Sequence, residues 1–178
     1  NLNRQLLMTH DWIGKSRVVK GRETIQNFNP GTEVELHDAP VTPELMDELM
    51  GRADILIDCR HNFPERRVLN QAAVRAGKPM VEAAMNSMEA YLFNVFPGES
   101  ACLACVYSED QPWDPFGFSV LGAQSGALGA MAAVEAVKIL TGFAPPLRNQ
   151  MLYFDLGTVE FRKFEIKRRE SCPVCGSM

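Results

Sequence analysis

Hydrophobic and polar positions follow two periods along this chain, and the switches between them mark its elements. Residues 1–8 are polar at first and carry no strand signal. After Gly14-Lys15-Ser16-Arg17 the spacing predicts a helix over Val18–Phe28, with Val18, Val19, Ile25 and Phe28 toward the core. Asn29-Pro30-Gly31 ends it. Thr32–His37 alternates, with Val34 and Leu36 on one face, and reads as a strand. Thr42-Pro43-Glu44 has the cap, proline and acid order of a helix start, and that helix runs to about Met50. Asp54–Asp58 reads as a short buried strand. Asn62–Ala76 reads as a helix with Val68, Leu69 and Ala73 inward, stopped by Gly77-Lys78-Pro79. Met80–Ala84 is the next strand. Strand and helix therefore alternate through the first half, which implies a parallel sheet.

The second half differs. Ala90–Phe96 is aromatic and aliphatic and reads as a strand, and Tyr107–Phe118 as a long irregular loop. Within that loop Trp113, Phe116 and Phe118 either form a cleft for an extended tail or anchor the loop. Val120–Leu140 reads as a helix rich in small residues (Gly122, Gly126, Gly129, Ala132, Ala133, Ala136), capped by Thr141-Gly142. Close helix packing explains that composition better than a nearby ligand does. Met151–Leu156 and Val159–Ile166 pair as a hairpin around Gly157-Thr158. The fold class expected is α/β: a Rossmann-like, largely parallel sheet flanked by helices, with antiparallel strands toward the C-terminus. Residues 1–178 form a single domain on this reading, with no repeat and no linker.

Two Cys-x-x-Cys pairs change the picture. Cys102-Leu-Ala-Cys105 follows Pro97-Gly98, and Cys172-Pro-Val-Cys175 precedes Gly176. Such a turn points two sulfurs at one spot, so two turns supply four thiolates in a tetrahedron, the geometry of structural zinc. Redox dithiols or disulfides are the alternatives. Zinc bound by Cys102, Cys105, Cys172 and Cys175 would tie the end of the chain to its middle.

Composition excludes some classes. The chain has 178 residues, 46% hydrophobic and 22% charged, with a net charge of −4. That charge argues against a nucleic-acid binder. Arg66-Arg67 and Lys167-Arg168-Arg169 are short runs that read as solvated. No apolar stretch reaches membrane-spanning length and no signal peptide is present, which places the cysteines in a reducing cytoplasm. His10 and His37 lack ligand spacing.

Several motifs occur in one order: Asn1-Leu2-Asn3-Arg4-Gln5, Gly14-x-x-Arg17, Leu56-Ile-Asp58-Cys-x-x-Asn62, Pro97-Gly98 with the first cysteine pair, the small-residue helix, and Cys-Pro-Val-Cys-Gly. That order resembles the ThiF/MoeB/HesA proteins and related ubiquitin-activating enzymes over the whole chain. The resemblance implies ATP-dependent adenylation of the C-terminal carboxylate of a ubiquitin-like or sulfur-carrier protein, a homodimer and a structural zinc. It further implies ATP and magnesium, with Arg4 and Arg17 catalytic and Asn1, Leu2, Asn3, Arg4, Gln5, Arg17, His61 and Asn62 around the nucleotide. The alternatives are a zinc-stapled dimeric binding scaffold without nucleotide chemistry, or adenylation of a small carboxylic acid.

Three departures from the family pattern matter, and the loop cysteine that some members carry does not occur either. The glycine-rich nucleotide loop and the acidic residue for the ribose do not occur in these 178 residues, so the chain is expected to lack the family's first strand, helix and second strand. The lysine of Gly-x-x-Lys is Arg17, although Lys15 and Lys20 are near it. The magnesium-serving aspartate is His61, a poor ligand for a hard cation, with Asp58 as the substitute considered. The loop before the small-residue helix has no cysteine for a thioester; the nearest position holds Asp114-Pro115. Cys59 is read as a packing residue.

Overall fold

The computed structural model describes residues 1–109 and 119–176. Trp113, Asp114, Pro115, Phe116 and Phe118, singled out above, lie outside the described residues. The described chain resolves into two compact units, Asn1–Pro40 and Val41–Met178.

The first unit contains a short 3-10 turn, His10–Trp12, and helix α1, Arg17–Phe28. Trp12 Nε1 donates to the Ser16 carbonyl at 2.6 Å, and the ammonium groups of Lys15 and Lys20 lie over the Trp12 ring. Phe28 does not face a core: it is 93% exposed at the last position of α1. Thr32–His37 is not a strand. Its burial still alternates, with Thr32, Val34 and Leu36 half-buried and Glu33 and Glu35 exposed. A strand needs a hydrogen-bonded neighbour as well as that period, and no ladder partner occurs among the described residues.

The second unit is a five-stranded sheet with helices on both faces. Its elements are α2 (Pro43–Arg52), β1 (Leu56–Asp58), α3 (Phe63–Ala76), β2 (Met80–Asn86), β3 (Glu89–Val95), α4 (Leu103–Val106), α5 (Gly122–Thr141), β4 (Gln150–Asp155) and β5 (Glu160–Glu165). Strand order follows chain order. The α/β class is as expected, but the sheet is mainly antiparallel: β1 and β2 pair in parallel, and β2–β3, β3–β4 and β4–β5 pair antiparallel. The helix α3 supplies the crossover that a parallel pair requires, whereas Ser87-Met88 lets β3 fold straight back on β2.

Local signals set the helix ends. Thr42 accepts from Leu45 N and Pro43 opens α2; Asn62 accepts from Glu65 N at 2.9 Å and opens α3. Gly77 and Gly142 end α3 and α5 in the left-handed conformation. The sheet separates two apolar layers. Met80, Phe93 and Val95 pack with α2, α3, α4 and the cysteine pairs, while Val81, Leu92 and Phe154 pack with Leu128, Ala132 and Ala136 of α5. Consecutive strand residues thus point to opposite layers. The small residues of α5 divide: Ala132 and Ala136 pack against the sheet, but the glycines do not mark close packing within the described chain. Gly126 and Gly129 are exposed, with nothing within 4 Å of where a Cβ would sit.

Asn70 joins α3 to the first cysteine pair. It is 1% exposed, and its Oδ1 accepts from Leu103 N at 2.9 Å. Truncation would leave that buried N–H unpaired. Asn70→Ala is expected to cost roughly 1–3 kcal/mol, read from urea unfolding; an unchanged midpoint would show that Leu103 finds another acceptor.

Candidate functional site

The four cysteines of the two Cys-x-x-Cys pairs converge. Their sulfurs all lie within 4.8 Å of one another. Two separations run between the pairs: Cys102 to Cys172 at 3.7 Å and Cys105 to Cys175 at 3.4 Å. A tetrahedral zinc site with sulfur-to-metal bonds near 2.3 Å has sulfur-to-sulfur edges of about 3.8 Å. The donor set and spacing can hold a metal ion, and all four thiols are free of disulfide bonds. Burial alone would raise the Cys172 thiol, but backbone N–H groups of Cys175 and Val174 and the neighbouring thiols bring it down to about 7. Desolvation pushes the Cys102 thiol up.

The surroundings brace this cluster. Arg168 donates to the Cys175 carbonyl and to Gly98 O, and Arg169 donates to Ala104 O and, through its backbone N–H, to Cys105 Sγ. These two arginines are therefore not the solvated run that the sequence suggested. Gly176 closes the second pair by donating to Cys172 O at 2.9 Å. A Cβ there would collide with the carbonyl oxygens of Glu170 and Cys172, so the final Gly of the motif is sterically required.

Residues expected around a nucleotide fall in both units. In the first, Arg4 donates to Asn1 Oδ1 at 2.6 Å and to Asn3 Oδ1 at 2.9 Å. Gln5 is half-buried with its side-chain oxygen unpartnered, Leu2 is exposed, and Arg17 is exposed at the first position of α1. In the second, His61 and Asn62 occupy the turn from β1 to α3. His61 is exposed. The amide of Asn62 is used at both ends: Oδ1 caps α3 and Nδ2 donates to Glu65 Oε2 at 2.8 Å.

Asp58 does not replace the missing magnesium ligand. It is 1% exposed, its Oδ1 accepts from Arg60 N at 2.7 Å, and its Oδ2 lies 3.7 Å from Arg66 Nε. An interior carboxylate beside a guanidinium and an imidazole at His61 do not form an oxygen-rich magnesium site. Cys59 is exposed as a residue, yet desolvation of its thiol and the adjacent Asp58 carboxylate raise its pKa, which disfavours a thiolate nucleophile.

One buried group escaped the sequence reading. Arg66 is 6% exposed, not solvated, and its Nη1 donates to Glu82 Oε1 at 2.7 Å and to Tyr91 OH at 2.9 Å. Burial and the Asp58 carboxylate push Glu82 well above the usual carboxylate range, against the pull of Arg66. The available signal was the single acid inside the apolar run Met80-Val-Glu82-Ala-Ala.

The chain matches the ThiF family over residues 1–174. It belongs to the ThiF family. Among its relatives, Protein HesA of Nostoc sp. (strain PCC 7120) is 52% identical, over 99% of this chain and 70% of that protein. The sulfur carrier protein adenylyltransferase of Thermus thermophilus is 31% identical, over 99% of this chain and 68% of that protein. Crystalline E. coli MccB with succinimide shares the fold, with a TM-score of 0.81 at 20% identity over 99% of this chain and 55% of that one. The chain spans 64% to 70% of the length of four HesA proteins it matches. No helix among the described residues of this ThiF-family chain is long and apolar enough to cross a membrane.

Gly176→Ala tests the cysteine cluster. Because the backbone must shift to admit the methyl group, cobalt(II) affinity is expected to fall about tenfold or more, followed by the thiolate-to-metal absorption band. Retained affinity would mean that the second turn relaxes at no cost.

Proposed function

We propose that this chain is the adenylating part of an enzyme that uses ATP to activate the C-terminal carboxylate of a ubiquitin-like or sulfur-carrier protein. The observation that carries the reading is the likeness over 99% of the chain to a sulfur carrier protein adenylyltransferase. Arg4 and Arg17 supply the cationic chemistry. In the reaction a carboxylate oxygen attacks the α-phosphorus, its bond to the pyrophosphate oxygen breaks, and acyl-adenylate and pyrophosphate form. Negative charge grows on the phosphate oxygens toward the transition state, where arginine forks are effective donors. No step is assigned to magnesium, because the turn carrying His61 and Asn62 lacks its ligands. Asn1, Leu2, Asn3, Gln5, His61 and Asn62 remain nucleotide-site assignments by resemblance.

Zinc is the metal proposed for Cys102, Cys105, Cys172 and Cys175, in a structural role with no open position for substrate. A homodimer fits the outward apolar face of α5, where Val134, Val137 and Leu140 are each about half exposed. A cytoplasmic location fits five thiols free of disulfide bonds. Residues 1–178 are assigned to one ThiF-family domain.

A second reading, a dimeric binding scaffold without nucleotide chemistry, is favoured by His61 and by the full engagement of Asn62 in capping α3.

Pyrophosphate exchange by the full-length protein, with a matching carboxylate partner, separates the two. Exchange is expected, and Arg4→Ala or Arg17→Ala should lower kcat by on the order of 10² to 10³ while changing KM less. Absence of exchange with every carrier tested would favour the scaffold. His61→Asp is expected to raise the rate; an unchanged rate would show that position 61 takes no part.

Elemental analysis should find one zinc per chain, and Cys172→Ser should lower the thermal midpoint because metal binding contributes folding free energy. A metal-free protein of unchanged stability would overturn the assignment. Light scattering at micromolar concentration should give a dimer mass, and a monomer would remove that proposal.

A further inference from the structure

Outside the residues assigned above, Val41–Met178 contains a buried polar group that no proposed step uses. Asp58 of β1 and Glu82 of β2 are register neighbours in the parallel pair, so both side chains leave the same face of the sheet. They are 1% and 0% exposed. Among the described residues Arg66, from α3, is the guanidinium paired with them. It donates to Glu82 Oε1 at 2.7 Å, while Asp58 Oδ1 takes the Arg60 N–H at 2.7 Å. One oxygen of each acid remains, Asp58 Oδ2 and Glu82 Oε2, and no donor among the described residues comes within hydrogen-bond distance of either, Arg66 Nε standing 3.7 Å from Asp58 Oδ2. Two ionised carboxylates and one guanidinium would leave a net negative charge out of water, with two acceptor oxygens unpaired. A proton between the acids removes both costs.

The same group grips the turn above it. Arg66 Nε and Nη2 both donate to the Arg60 carbonyl, at 3.0 and 2.8 Å. The N–H of Arg60 goes to Asp58 and its carbonyl to Arg66, so both backbone groups of the residue before His61 end on one buried cluster. Arg60 also pairs through its side chain with Glu65, which in turn holds Asn62. The other titratable groups facing the cluster are Cys59 in the same turn, Tyr91 of β3 and Tyr107 beyond α4.

We propose that Asp58 and Glu82 share one proton, and that this acid pair, acting through Arg66, is the positioning device that fixes the Arg60–Asn62 turn. Glu82 is then a positioning residue, present as a neutral acid whose carbonyl anchors Arg66. The value of a fixed turn for catalysis rests on the adenylation reading; the shared proton and the anchored turn do not.

Two measurements on the whole protein test the device. At about pH 7 the infrared spectrum is expected to show the carbonyl stretch of a protonated carboxylic acid, and Glu82→Gln should abolish it. The glutamine keeps an acceptor for Arg66, so amide hydrogen exchange at Arg60–Asn62 should stay at the wild-type rate. Arg66→Met removes the anchor and should speed exchange in that turn about tenfold or more relative to β2 and β3. If Arg66→Met does not fold, Arg66→Lys, which keeps the charge and loses the fork, is measured for the same loosening. Absence of the acid band, or its survival in Glu82→Gln, overturns the shared proton. A turn that stays protected without the Arg66 fork, or that loosens in Glu82→Gln, overturns the positioning role. Neither measurement needs ATP, so a protein that passes both and exchanges no pyrophosphate overturns the adenylation reading alone.

Discussion

A guanidinium taken out of water has to satisfy five N–H donors, and that demand organises the second unit of this chain. Arg66 meets it with Glu82, Tyr91 and the carbonyls of Arg60 and Ala83. These partners come from β2, β3 and the β1–α3 turn, so one side chain fixes a helix to three other segments. Desolvating an ion is expensive, and removal of one partner of a buried pair is commonly worse than never having the pair. The sheet and α3 consequently have little freedom to change register. A one-residue slip of β1 against β2 would turn Asp58 to the opposite face, away from Arg66.

The same layer carries the cysteine cluster. Cys102, Leu103 and Ala104 pack with α3 in the apolar layer, and Asn70 is joined to Leu103 from the middle of that helix. The cysteine cluster is therefore an extension of the core. It is not a separate knuckle hung from a flexible tail. Arg168 and Arg169 complete it from the segment after β5, binding carbonyls that a Cys-x-x-Cys turn leaves pointing outward.

Much of this was legible in the sequence, for identifiable reasons. Thr42-Pro43 announced its helix because capping is local chemistry, and the two cysteine pairs announced their convergence because a four-thiolate site needs few other residues. Thr32–His37 misled, since period-two burial persists there without a ladder partner among the described residues. Phe28 misled because periodicity identifies a helical face and not what covers it. Arg66 was the largest miss: its burial depends on acids 8 residues before and 16 residues after it, which only the sheet brings together. The candidate nucleotide residues were legible only through family likeness, since an Asn-Leu-Asn-Arg segment is otherwise an ordinary polar turn.

Strand order that follows chain order also has a consequence for how the molecule closes on itself. Short turns join β2 to β3 and β4 to β5, and α3 joins β1 to β2, but β3 and β4 pair across residues 96–149. The first cysteine pair begins soon after β3 and the second soon after the β4–β5 hairpin, so the ladder and the thiol cluster close nearly the same loop. The entropy of closing such a loop is lost largely once, and whichever contact forms first makes the other almost intramolecular. Ladder and cluster are in that sense one latch with two bolts, and loosening either raises the fraying rate of the whole C-terminal hairpin.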